Sequence, residues 1–93
     1  MKKIQTVADV YPAIDELMAE LKVIGHFKLA DTLYHRMYQV AWSSGSELLE
    51  ELYDVFAEAL LVNDVNFSES LRGQIQRIID VINNYLASSI DVD

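Results

Sequence analysis

Apolar residues return every three or four positions along almost the whole chain, and little interrupts them. That period gathers them on one face of an α-helix. Three glycines and one proline are the only breakers present, so turn chemistry is scarce. The pattern predicts four helices, over 7–24, 27–42, 47–62 and 69–86.

In the first, Val7, Val10, Ile14, Leu17, Leu21 and Ile24 form a stripe with Met18 beside it. Thr6 and Asp9 have the spacing of a capping box. Gly25 suits the C-terminal stop. Pro12 either kinks the helix or moves its start to Tyr11. The second helix presents Ala30, Leu33, Tyr34, Met37, Val40 and Ala41 inward. Ser44 or Ser46 caps the third, with Glu47 at N3 or N1 accordingly.

Leu48, Leu49, Leu52, Tyr53, Val55, Phe56, Ala59 and Leu60 give the third helix an apolar arc of about 160°, which is wide for a single stripe. Residues 63–66 end it. The fourth is capped by Ser68 or Asn66. It carries Leu71, Ile75, Ile78, Ile82 and Tyr85, flanked by Ile79 and Val81. That excess apolar width fits a helix buried on two sides, or one that meets a second copy in a homodimer.

Short connections make successive helices antiparallel, and the expected fold is all-α, a four-helix up-down bundle. Ninety-three residues without a linker or repeat make one domain. Residues 1–5 and 87–93 are expected to be flexible ends.

Charge is the second constraint. The net charge is −8, and residues 1–45 are balanced, with five acids and five bases. The whole excess therefore falls in the second half, where Arg72 and Arg77 are the only bases. Such a chain is repelled by nucleic acid and by anionic membrane, and its natural charged partners are basic. No cysteine is present, so disulfides, thiolate metal sites and a cysteine nucleophile are excluded. Residues 1–5 hold two lysines with no apolar stretch behind them, so no signal peptide is expected. The longest aliphatic run, 59–62, is too short to span a bilayer. A cytoplasmic protein is the expectation.

Two constellations are candidates for function. Glu47, Glu50, Glu51, Asp54 and Glu58 fall within about a 100° arc on the polar side of the third helix. No base interrupts the row, and its like-charged i,i+4 pairs each cost about 0.2–0.5 kcal/mol. The row is either a solvated face or a docking strip for a basic protein. It is too straight to wrap a divalent cation. Asp31, His35, Tyr38 and Trp42 follow i, i+4, i+7, i+11 on the second helix. They either close the bundle's edge, with Asp31 supporting His35, or form an interface patch anchored by Tyr38 and Trp42.

Catalysis is not expected. A carboxylate-bridged di-metal bundle needs Glu-x-x-His pairs, and none occur. The serines at 43, 44 and 46 lack the Gly-x-Ser-x-Gly elbow, and no phosphate-binding glycine loop is present. No metal or cofactor is expected. The sequence thus suggests a small acidic interaction module that binds a basic protein partner, as immunity proteins and antitoxins do. That comparison rests on charge and size alone. Glu47, Glu50, Glu51, Asp54, Glu58, His35, Tyr38 and Trp42 would carry the contact. The alternative is a structural homo-oligomer without catalytic activity.

Overall fold

A computed structural model describes residues 4–63 and 67–91. It contains α1 (Val7–Val23), α2 (Phe27–Tyr34) continued by a π-helical turn (His35–Gln39), α3 (Gly45–Asn63) and α4 (Glu69–Asp91). The helices form an up-down bundle. α1 packs on α2 and α4, α3 packs on α4, and the π-turn reaches α3. The α2–α3 seam is the loosest of the neighbouring pairs, and this places the candidate site.

The ends of the helices follow from local chemistry. The Asp9 carboxylate accepts from the N–H groups of Gln5 and Thr6, both at 3.1 Å, tying down donors that the first turn cannot pair. α1 begins at Val7 and runs through Pro12, so its start is not moved to Tyr11. Pro12 falls early in the helix, where the loss of one N–H is least disruptive. At the other end Gly25 has φ +92°. The His26 N–H donates to the Leu21 carbonyl at 2.8 Å, and the Gly25 N–H to Lys22 at 3.3 Å. These are the two bonds of a Schellman stop, which needs a left-handed residue. A side chain at Gly25 meets nothing in space. Gly25→Ala is therefore expected to lose about 1–2 kcal/mol through backbone strain alone, measurable as a lower denaturation midpoint with an unchanged m-value.

The second helix departs from expectation. Regular α geometry stops at Tyr34, the turn widens over His35–Gln39, and Val40 is extended. Trp42 is therefore off the helix, where the sequence pattern had placed it on the last turn. The Trp42 indole Nε1–H donates to the Arg36 carbonyl at 2.5 Å, capping a carbonyl that the ending helix leaves open. Tyr34 and Ala41, expected on the inner face, are exposed, and Met37 and Val40 are only half-buried.

The bounds of α3 and the start of α4 are close to those predicted. Ser44 is the cap of α3, its Oγ accepting from the Glu47 N–H at 3.3 Å while Glu47 Oε1 accepts from the Ser43 N–H at 2.9 Å. Ser68 caps α4, its Oγ accepting from the Leu71 N–H at 3.1 Å; Asn66 lies outside the described residues. α4 continues to Asp91 instead of ending at 86.

The core contains Val10, Ile14, Leu17, Met18 and Leu21 of α1, Ala30 and Leu33 of α2, Leu49, Leu52, Phe56 and Ala59 of α3, and the apolar stripe of α4. Ile24 and Tyr85, assigned to stripes by spacing, are exposed. Ile79 and Val81 are buried within the chain, because α4 packs against both α1 and α3. Two core residues lie outside the helical periodicity. Ile4 is buried, and its carbonyl accepts from Arg77 Nε at 2.9 Å. Phe67 is buried with its ring edge-on to His26, the centroids 4.9 Å apart.

Candidate functional site

The wide apolar arc of α3 has a use within the chain. Leu49, Leu52 and Phe56 fill the core, while Val55 and Ala59 turn toward α2. Because α2 and α3 pack loosely, these residues form the floor of an open groove of about 490 Å³. Leu29 completes the floor from the α2 side. Lys28, Thr32 and Arg36 form the α2 rim, and Glu51, Asp54 and Glu58 form the α3 rim. The helices run antiparallel, so Arg36 lies beside Glu51 at one end and Phe27 beside Val62 at the other. From Glu51 to Val62 the groove follows three turns of α3, about 16 Å at 1.5 Å per residue.

The acidic row does meet a base, contrary to the sequence expectation. Arg36 Nε donates to Glu51 Oε1 at 2.9 Å, with both side chains about one-third exposed (31% and 36%). A pair this exposed contributes about 0.2–1 kcal/mol. Its larger consequence is positional, because it ties the two rims together across the groove lining and neutralises the middle of the row. Glu47 is occupied in the helix cap. Glu50, Asp54 and Glu58 are exposed and have no ion-pair partner among the described residues.

The second constellation does not form one stripe. Tyr38 is directed to α1, its hydroxyl donating to Asp15 Oδ1 at 2.5 Å. That hydrogen bond, then partial burial and the nearby carboxylate charge, hold the Tyr38 phenol above its ordinary value. Its ring also leans on Tyr34, the centroids 5.2 Å apart. Arg36, two residues away, is directed to α3 instead. Arg36 Nη1 donates to His35 Nδ1 at 2.7 Å; guanidinium carries no acceptor, so the imidazole nitrogen must accept. Asp31 is exposed, and the hydrogen-bond partner of His35 is Arg36 rather than Asp31. Trp42 is half-buried under the π-turn. Of the eight candidate partner-binding residues, the structure thus brings Glu51, Asp54 and Glu58 to the groove. Glu47 and Glu50 continue the row beyond it, and Tyr38 stands toward α1.

Sequence reasoning missed the opposing rim. Its signal was present, since Lys28, Thr32 and Arg36 recur at four-residue steps, the spacing of one helical ridge.

No group of three or more His, Asp or Glu side chains that could hold a metal occurs among the described residues. Among the described residues, no helix is long and apolar enough to cross a membrane. Comparison of the chain with protein-family models, curated proteins and solved structures gives no match.

Proposed function

We propose that this protein is an interaction module that takes a basic protein partner through the acidic face of α3. One observation carries this reading. Glu50, Asp54 and Glu58 stand exposed in a row without an ion-pair partner among the described residues, Asp54 and Glu58 on the rim of an open groove and Glu50 just beyond it. Like charges at i,i+4 repel within a helix. A cationic surface laid across them relieves that repulsion and gains attraction as it desolvates the rim. The net charge of −8 adds a longer-range field that speeds encounter with a cationic protein. The comparison with immunity proteins and antitoxins belongs to this proposal, and it remains one of charge and size.

The test uses the whole chain as bait in its native host, followed by association kinetics with the recovered protein. Carrying Glu47→Lys, Glu50→Lys, Asp54→Lys and Glu58→Lys together should slow association at least about tenfold at low salt, with little difference left at high salt. Equal rates for the variant and the parent chain would refute the proposal.

A further inference from the structure

We propose that the groove between α2 and α3 seats an amphipathic helical segment of the basic partner, apolar side chains on its floor and lysines or arginines against Asp54 and Glu58. This rests on the reading of α3 as a docking face and says what that face accepts.

Three features of the groove carry it. The first is shape. The groove follows α3 for about three helical turns, from Glu51 to Val62, with the Arg36–Glu51 pair in its lining at one end of that stretch. A helix lays one apolar stripe into such a trough, with anchors at i, i+3 or i+4, and i+7. The second is the exposed apolar surface at the end away from the Arg36–Glu51 pair. Phe27 and Val62 are 60% and 70% exposed, and both line the groove. The apolar floor therefore continues out to the surface, where a segment longer than the trough would cover it.

The third is charge, which selects the occupant. Arg36 is already paired with Glu51. Asp54 and Glu58 then face Lys28 as the remaining cation on the opposite rim. The α3 rim is the more negative, and Glu50 extends it. An apolar helix with cations along one flank matches this asymmetry in one orientation, the cationic flank toward α3. An acidic segment would meet like charge there. A second copy of this chain would bring another net charge of −8 to the contact.

The experiment titrates the isotope-labelled whole chain with two synthetic peptides of identical composition. One carries leucines at i, i+3, i+7 and i+10 with lysines on one flank; the other has the same residues in scrambled order. The patterned peptide should shift the amide signals of Leu29, Thr32, Val55 and Ala59, and should bind at least about tenfold more tightly than the scrambled one. Thr32→Trp, which fills the trough, should weaken it by a similar factor. Lys28→Trp is the second obstruction: it makes the rim more acidic, so weakened binding there cannot be a loss of attraction, and it remains informative if Thr32→Trp does not fold.

Equal affinities for the two peptides, with shifts confined to the Glu47–Glu50 face, would overturn the groove while leaving the acidic face standing. Absence of binding by either peptide would overturn the groove as well. The host partner's kinetics with the lysine variants would then judge the broader reading separately. Light scattering on the unliganded chain covers the remaining occupant. A dimer abolished by Thr32→Trp would assign the groove to a second copy and refute the proposal.

Discussion

Replacing Phe56 with alanine is expected to destabilise the protein by about 3–5 kcal/mol. Phe56 is fully buried near the middle of α3, with Leu49, Leu52 and Ala59 on the same face. Two losses add. The favourable free energy of moving the ring from water into the core is lost, because alanine has no ring to bury. A cavity also remains, because packed helices relax only in part around it. α3 packs on α4 along one side but lies loosely against α2 on the other, so the helix has some freedom to settle, and the lower half of the range is favoured. For a domain of this size, 1 kcal/mol moves the thermal midpoint by roughly 4–8 °C. Calorimetry should therefore show a fall of more than about 10 °C. A loss below about 1 kcal/mol would mean that Phe56 is not at the centre of the core.

Ile78→Ala should cost about 2–5 kcal/mol by the same mechanism. Its value is that it tests the rotation of α4. Ile78 is fully buried, and Ile79, Val81 and Ile82 are buried with it, since α4 packs between α1 and α3. On the outer face Gln76 Nε2 donates to Asp80 Oδ1 at 3.0 Å, and Asp80 is exposed. Asp80→Ala is the paired control, expected within about 0.5 kcal/mol of the parent because it touches no buried group. Urea denaturation of both variants separates the cases. Equal losses at positions 78 and 80 would show that the helix is rotated from the placement described.

Much of the fold was legible because helical order is local. The buried residues of α1 and α4 are those that spacing alone selected; of the others it selected there, Val7 is only half-buried and Ile24 and Tyr85 are exposed. The stops were legible too. Gly25, Ser44 and Ser68 act through backbone bonds that span three to five residues, and that is the range over which a sequence pattern carries information. The site was legible on one rim only. Five acids on one face of α3 can be read from i,i+3,i+4 spacing, whereas their relation to Arg36 cannot. That pair joins residues fifteen apart in sequence and depends on how two helices are rotated toward each other.

The π-turn shows the same division. Asp31, His35, Tyr38 and Trp42 have faultless helical spacing, yet the helix widens before it reaches the last of them. The contacts that accompany the widening are Tyr38 with Asp15 on α1, Arg36 with Glu51 on α3, and the indole of Trp42 on the Arg36 carbonyl. Two of the three are tertiary. The sequence by itself determined four helices, the inner faces of α1 and α4, the caps of α1, α3 and α4 and an acidic row, because each depends on neighbours within about a turn. The tertiary structure alone decided that α4 is buried on two sides, that Ile4 and Phe67 complete the core, and that α2 and α3 stand apart with opposite charges on their rims. Those outcomes depend on the distance and rotation between helices, which are set by packing all four together.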